Sequence, residues 1–200
     1  FKKLIAPTKK RMTKEEIKAS WDKNRDEAAV AGTKMHHDIE CYYNQMKVEN
    51  DSTEFKWFLK FDDWTRGSTN MLPYRTEMIV WDKELKLCGS IDMLYENECG
   101  ELELYDWKRC KEIKKTSFNK FANTEFIEHL PDSNFWHYAL QLNTYKYMIE
   151  KNYGKKVNSM YLVCLHPNNK NKSYQKIKVP DLKEEIKDLM ELRLKIVSNL

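Results

Sequence analysis

The spacing of apolar residues predicts helices over the first quarter of the chain. Thr13 and Glu16 form a capping-box pattern, which opens a helix that runs to about Val30, and Gly32 is expected to end it. A second helix is predicted over residues 33–47, because apolar side chains recur there at the four-three-four spacing of a buried stripe. The residues of this stripe are Met35, Ile39, Tyr42 and Met46.

Helices and strands are predicted to alternate in the rest of the chain. A short helix over residues 51–67 is expected to be capped near Ser52 or Thr53. Its predicted apolar side consists of Phe55, Phe58, Leu59 and Trp64. The C-terminal half is predicted to contain a loop over 116–130, a helix over 134–152 stopped by Gly154, strands over 157–165 and 173–179, and a last helix over 182–199.

Between these helical segments, the pattern predicts three antiparallel strands. The first is 72–81, and the runs 86–95 and 101–108 flank a polar turn as a β-hairpin. In the last run, alternation puts Leu102, Leu104, Asp106 and Lys108 on one face and Glu103, Tyr105 and Trp107 on the other. The fold class predicted is therefore α/β, a mixed central β-sheet with an antiparallel meander, flanked by helices.

Composition limits the kinds of protein that the chain can be. Two hundred residues suit one domain, and the first residue, Phe1, indicates a piece of a longer chain. The net charge is only +4, so any affinity for nucleic acid must come from local clusters of charge. No signal peptide or membrane-spanning run is recognisable. Five scattered cysteines without a C-x-x-C pair predict reduced thiols, hence an intracellular, reducing compartment such as the nucleus, the cytoplasm or a viral replication site.

Two aspartates and a lysine in the hairpin are the strongest candidates for chemistry. Asp92 lies in the strand that pairs with the strand of Asp106 and Lys108, so the two carboxylates are expected to converge. Convergent carboxylates repel each other unless a cation lies between them, and their hard oxygen atoms suit Mg²⁺ or Mn²⁺. The alternative is that both are ordinary acids at the ends of strands.

The string G-S-I-D, a turn and L-E-L-Y-D-W-K resembles the PD-(D/E)xK nuclease superfamily, in its RecB-like and lambda-exonuclease-like branch. The resemblance implies a restriction-endonuclease-like core in which Asp92 and Asp106 bind the metal and Lys108 orients the attacking water. It also implies the Trp107 carbonyl as a further ligand. The sequence departs from the family pattern in having Ser90 and Ile91, rather than a proline, before Asp92.

Three further segments are similar to motifs of the same branch. G-T-K-M-H-H-D-I-E resembles its N-terminal helical motif, which implies His36 as a metal ligand and Glu40 as a supporting residue or a ligand of a second metal. Q-L-N-T-Y resembles its Q-x-x-x-Y motif, in which Gln141 and Tyr145 would brace the site and touch phosphates. Glu77 resembles an acid that this branch places before the hairpin, although an ion pair with Arg75 or a lysine is an alternative.

Basic residues follow the proposed centre directly. Arg109, Lys111, Lys114 and Lys115 are predicted to hold a nucleic-acid backbone, the alternative being a solvated charged face. Downstream aromatic residues remain open between core packing and stacking on unpaired bases; they are Phe118, Phe121 and Phe126. Some RecB-like exonucleases carry an iron-sulfur cluster on four grouped cysteines, and because that grouping is absent, no cluster is predicted.

The sequence therefore predicts a Mg²⁺- or Mn²⁺-dependent nuclease, most simply an exonuclease in DNA repair, recombination or replication. Its partners would be DNA, as single strands or duplex ends, and a larger repair or replication assembly, with no membrane. An endonuclease of the same fold, acting on DNA or RNA, and a catalytically silent binding module are the alternatives. The predicted domain plan is one nuclease domain, with a basic arm at 1–11, helices over 12–66, a catalytic core over 72–179 and a C-terminal helix over 181–199.

Overall fold

The computed structural model describes residues 12–199, so the predicted basic arm at 1–11 lies outside the described residues. The helices and strands alternate along the chain much as predicted. They are α1 Lys14–Tyr43, α2 Thr53–Ser68, β1 Leu72–Asp82, β2 Leu87–Glu96, β3 Leu102–Lys108, a 3-10 turn at Glu125–Ile127, α3 Asn134–Tyr153, β4 Val157–Cys164, β5 Gln175–Val179 and α4 Lys183–Ser198.

The five strands form one mixed sheet in the order β1-β2-β3-β4-β5. β1, β2 and β3 are an antiparallel meander, β4 runs parallel to β3, and β5 is antiparallel to β4. A parallel neighbour requires a crossover, and α3 provides it between β3 and β4. Helices flank this sheet, so the predicted α/β class is confirmed.

Each face of the sheet carries its own hydrophobic cluster. Leu102 and Leu104 of β3 pack with α3 and α4 on one face, while Tyr105 and Trp107 pack with α1 and α2 on the other. The alternation predicted for β3 is therefore the observed one. β3 is buried from both sides because it lies at the centre of the sheet.

The predicted helix break at Gly32 is wrong, because α1 continues through it from Lys14 to Tyr43. The predicted capping box at Thr13 and Glu16 is present. An interior glycine costs a helix only about 1 kcal/mol relative to alanine. Downstream burial of Met35 and Ile39 against the sheet outweighs that cost.

Three apolar positions were placed wrongly by helical periodicity. α1 ends at Tyr43, so Met46 lies beyond the helix and is exposed. In α2, Leu59 and Trp64 are partly exposed, and Phe61 takes the buried place beside Phe58. Phe55, Phe58 and Phe61 follow each other at three-residue steps, which is the stripe that faces the sheet.

Two further findings bear on the expectations from composition. The five cysteines are free thiols. Across residues 12–199, none of the helices has the length and apolar character needed to cross a membrane.

The ring of Tyr145 in α3 can pack against β2 only because residue 89 of that strand is a glycine. A methyl group at Gly89 would lie 2.8 Å from the Tyr145 hydroxyl oxygen and 2.9 Å from its Cζ, inside van der Waals contact. A methyl group at Gly32, by contrast, would meet no atom within 4 Å outside the backbone of its own helix. The two glycines therefore make opposite demands on an alanine substitution.

We expect Gly89→Ala to lower the free energy of unfolding by about 1–3 kcal/mol, as overpacking does, and Gly32→Ala to raise it by up to about 1 kcal/mol. Urea unfolding of both variants measures this. If Tyr145 is the clashing group, Gly89→Ala made in a Tyr145→Ala background should cost much less than alone. An equal cost in both backgrounds would contradict this account of Gly89.

Candidate metal centre and nucleic-acid interface

The sheet divides into two arms where Asp92 and Asp106 meet. β2 and β3 are paired from Glu96↔Leu102 to Met93↔Tyr105, and no ladder pair joins these two strands beyond that point. β2 then continues against β1 alone, while β3 continues against β4 as far as Lys108↔Cys164. Extending the register by one residue would place Asp92 opposite Asp106. The two carboxylates therefore lie at the fork between the arms.

The Asp92 carboxylate replaces a backbone hydrogen bond that β3 loses where its pairing with β2 ends. Its Oδ2 accepts a hydrogen bond of 2.7 Å from the Trp107 backbone N–H. A buried N–H without an acceptor is costly, so this carboxylate both satisfies β3 and is fixed in orientation by it. Asp92 is thereby aimed at the edge of β3 that carries Asp106.

Glu77 and His36 complete one side of the site. The β1–β2 register places Glu77 opposite Asp92, between the pairs Thr76↔Met93 and Met78↔Ile91. Its carboxylate accepts a hydrogen bond of 2.8 Å from the Ser90 hydroxyl, and His36 Nδ1 of α1 lies 3.5 Å from Asp92 Oδ2 and 4.0 Å from Glu77 Oε1. Ligand atoms of His36, Glu77 and Asp92 all lie within 4.8 Å of one another.

The backbone at Glu77 is strained. Its φ is +46°, in the left-handed region that a non-glycine residue of a strand rarely adopts. Such conformations cost of the order of 1 kcal/mol or more and concentrate at functional sites. Within residues 12–199 Glu77 forms no ion pair with Arg75 or with a lysine, so the contacts observed are those with Ser90 and His36.

The electrostatics of this group favour a bound cation. Burial raises the pKa of Glu77, with the charge of Asp92 adding to the effect against the Ser90 hydrogen bond. Burial alone would lower the pKa of His36, but the hydrogen bond and charge of Asp92 outweigh it and raise the pKa. Excess negative charge is thus concentrated on the side of His36 that faces the sheet.

Asp106 and Lys108 form the other side of the site. Lys108 Nζ lies 3.0 Å from Asp106 Oδ1 and 2.7 Å from Oδ2, and it also lies 4.5 Å from the centre of the Tyr138 ring of α3. Burial and the nearby charge of Asp92 raise the pKa of Asp106 to about 7, against the opposing effect of Lys108. Burial would lower the pKa of Lys108, but the contact with Asp106 raises it, so Lys108 is held as a cation.

The remaining predicted supporting residues lie around the same fork. Glu40 is half-buried one turn after His36 in α1, and its charge acts on Glu77. In α3, Gln141 donates a hydrogen bond of 2.9 Å to the Tyr145 hydroxyl, which lies against Gly89 of β2. The charges of Asp106 and Asp92 reach Tyr145 and help burial to raise its pKa. α3 therefore closes the fork from the side opposite α1.

The four basic residues after β3 do not share one environment. Arg109 donates from Nε to Glu54 of α2 over 2.6 Å, and its side chain is only 18% exposed. Lys111, Lys114 and Lys115 are exposed, with Lys114 3.5 Å from Glu112 and Lys115 over the Phe135 ring. Arg109 thus serves as a tie between β3 and α2, and the lysines remain available to solvent.

The donor set suits a hard divalent cation. Carboxylate oxygens with one imidazole nitrogen are ligands that Mn²⁺ and Mg²⁺ accept, with the imidazole favouring Mn²⁺. His36, Glu77 and Asp92 are the residues that already converge, and Asp106 faces them across the fork. The predicted role of the Trp107 carbonyl stays a prediction, since the Trp107 group seen in contact with Asp92 is its N–H.

Sequence reasoning missed several contributors to the site. Ser90 holds Glu77, Tyr138 holds the ammonium of Lys108, and Glu54 holds Arg109. Ser90 stood inside the G-S-I-D string, so its position was visible but its bond to β1 was not. The contacts of Tyr138 and Glu54 join segments 30 and 55 residues apart, and no local pattern could have revealed them.

No family model matches the chain, and no curated protein matches it. Among solved structures, the chain is similar to a crystal structure from Eubacterium rectale named "putative exonuclease", with a TM-score of 0.38 and 13% sequence identity over 80% of this chain and 73% of that one. A similarity of this size does not bear on the site.

The converging ligands predict a measurable response to Mn²⁺. We expect saturating Mn²⁺ to raise the melting temperature of the protein by about 5 °C or more. Asp92→Asn should abolish this shift while raising the melting temperature in EDTA, because it removes carboxylate repulsion and keeps an oxygen for the Trp107 N–H. His36→Ala should weaken the shift. His37→Ala, one residue further along α1, is the matched control and should respond like the wild type.

The buried, paired Arg109 and the exposed Lys111 are expected to give different defects when each is replaced by alanine. We expect Arg109→Ala to lower the free energy of unfolding by about 2–3 kcal/mol, because it leaves the carboxylate of Glu54 buried without its partner. Lys111→Ala should leave stability unchanged, and if this lysine holds a nucleic-acid backbone as the sequence predicts, the variant should bind DNA more weakly, with a salt dependence reduced by about one charge. Chemical denaturation and a salt titration of binding measure the two. Equal stability losses in both variants would refute this division.

Proposed function

We propose that this protein is a divalent-metal-dependent nuclease that hydrolyses phosphodiester bonds of DNA and acts as an exonuclease in DNA repair, recombination or replication. The observation that carries the proposal is the convergence of acids from three neighbouring strands with His36 and Lys108 at one fork in the sheet. These are the residue types and the order along the chain that resemble the PD-(D/E)xK pattern.

Each side chain has a defined part in the proposed reaction. His36, Glu77 and Asp92 would hold the cation, and Asp106 would join them from β3. A bound divalent cation supplies Lewis-acid stabilisation of the charge that develops on the phosphate. Lys108 Nζ, kept protonated by Asp106 and held over Tyr138, orients the attacking water and donates to a phosphate oxygen.

The substrate side of the proposal rests on α3 and the loop before it. Gln141 and Tyr145 of α3 carry an amide and a hydroxyl beside the fork, and these groups would donate to phosphate oxygens. Lys111, Lys114 and Lys115 supply the positive charge that non-specific DNA binding requires. The resemblance of Q-L-N-T-Y to the Q-x-x-x-Y motif favours an exonuclease over an endonuclease. A larger repair or replication assembly, as a partner of the nuclease, belongs to the same proposal.

Lys108 offers the sharpest test of catalysis. We expect Lys108→Ala to lower the cleavage rate of end-labelled linear DNA in Mn²⁺ at least about 100-fold, since it removes the group that stabilises charge at the reacting phosphate. Metal binding should survive, because Lys108 is not a ligand. Lys187→Ala, an exposed lysine of α4, is the matched control and should cleave like the wild type.

The substrates in that assay separate the alternatives. Progressive shortening from one end, lost in EDTA and in Lys108→Ala, supports the exonuclease and gives its polarity. Cleavage of circular DNA, or of RNA in preference to DNA, would move the assignment to an endonuclease or a ribonuclease. A folded wild-type protein that shows a Mn²⁺ thermal shift and binds DNA but cuts nothing would instead support a silent binding module.

A further inference from the structure

An aromatic side chain projects into solvent from the basic loop, defined here as residues 109–133 between β3 and α3. Phe118 is 98% exposed, although the transfer of such a side chain from water to an apolar environment would be worth about 2 kcal/mol. An isolated exposed phenylalanine on a surface is common and needs no explanation. Phe118 differs from such a residue because it lies in a basic loop that hydrogen bonds hold in place on both sides.

The basic loop is fixed on both sides of Phe118. Before it, the Asn134 side chain accepts from the Lys114 N–H over 2.8 Å and donates to the Glu112 carbonyl over 2.9 Å, and Trp136 Nε1 donates to the Lys115 carbonyl over 2.9 Å. These bonds hold the first half of the loop against the start of α3. Phe118 is therefore presented by a braced segment.

The second half of the loop is braced as well. The Ala122 N–H donates to the Leu130 carbonyl over 3.0 Å, and the Asp132 N–H donates to the Lys120 carbonyl over 2.9 Å. Leu130 is buried in the core cluster beneath α3. Phe118 thus lies at the tip of a turn whose two stems are both attached to the body of the protein.

The segment around this tip is rich in lysine. Residues 109–120 contain five basic side chains against one acidic side chain, and Arg109 is paired with Glu54 of α2, which leaves four lysines against one glutamate. Among the ion pairs of the described residues, Arg109 and Lys114 have carboxylate partners and Lys111, Lys115 and Lys120 have none, although Lys115 Nζ lies 4.7 Å from the centre of the Phe135 ring. An exposed aromatic ring on a lysine-rich loop matches the chemistry of an unpaired nucleic-acid strand, whose bases stack and whose phosphates bind cations.

The loop is also in line with the proposed catalytic site. Asn134 anchors the loop at the first residue of α3, Tyr138 lies under Lys108 one turn later, and Gln141 follows in the next turn. At 1.5 Å per residue, Asn134 and Gln141 are about 10 Å apart along the helix. A strand that runs along α3 past Lys108 would therefore reach Asn134, where the basic loop is attached to the helix, within a few nucleotides.

We propose that Phe118 stacks on a base of a single-stranded nucleic acid and, with Lys115 and Lys120, anchors that strand on its way to the metal centre. This inference rests on the proposed nuclease function and makes its substrate class specific: an unpaired strand or a frayed end. A closed duplex offers no free base face to the ring, so it should gain nothing from Phe118.

Binding without cleavage tests this inference. Fluorescence anisotropy in EDTA would compare labelled oligo(dT), an abasic strand of the same length and a blunt duplex. We expect Phe118→Ala to weaken oligo(dT) binding about 10-fold, which is within the cost of losing one stacking contact, and to leave abasic and duplex binding unchanged. Phe118→Trp should bind oligo(dT) at least as well as the wild type. Trp21→Ala, an exposed aromatic residue of α1, is the matched control and should behave like the wild type.

The outcomes separate this inference from the function on which it rests. If Phe118→Ala binds oligo(dT) like the wild type, or loses abasic binding equally, the stacking role is wrong even where the wild type cuts DNA. If the wild-type protein neither binds nor cuts any of these substrates, the nuclease proposal and this inference both fail. A 10-fold defect confined to strands with bases supports the anchor.

Discussion

The register of β2 and β3 would set Asp92 directly opposite Asp106, at the separation of about 5 Å that paired side chains have in an antiparallel ladder. Two carboxylates so close and so little exposed repel each other strongly, and the pKa of Asp106 is raised chiefly by burial, with the charge of Asp92 adding to the effect. The ladder stops one pair short of this contact. The fork in the sheet, and the opening that it creates, are therefore coupled to where these two acids stand.

The surrounding elements are arranged to compensate that charge. α1 approaches one side of the fork with His36, and Lys108 at the end of β3 approaches the other, where Tyr138 of α3 supports its ammonium. For α1 to reach the fork it must remain one helix through Gly32, with its second half packed on Tyr105 and Trp107 of the sheet. The two hydrophobic clusters thus fix the positions of α1 and α3 on the sheet, and these helices place His36 and Tyr138 beside the charged groups at the fork.

Much of this arrangement could be predicted from the sequence because its signals are local. Alternation in β3 correctly divided Leu104 from Tyr105, and the bond from Gln141 to Tyr145 follows from four-residue helical spacing. The predicted helix break at Gly32 was wrong because the low helix propensity of glycine is a local effect. The burial of Met35 and Ile39, which outweighs it, depends on tertiary packing. The sequence grouped Arg109 with three lysines by charge, and it could not show that Glu54, 55 residues away in the chain, accepts a hydrogen bond from Arg109.

In the proposed nuclease, electrostatic repulsion decides the order in which the cation and the substrate bind. A phosphodiester is an anion, and carboxylates at about 4 Å would oppose it by roughly 4 kcal/mol per pair at the effective dielectric of a protein surface. Lys108 cannot offset three acids alone, particularly since Asp106 already occupies its ammonium. The cation must therefore bind before the scissile phosphate does, whereas the lysines of the basic loop can hold the rest of the strand without it. In the proposed nuclease, capture of the strand would then depend on salt and capture of the scissile phosphate on metal, because the first would use the lysines of the basic loop and the second the metal centre.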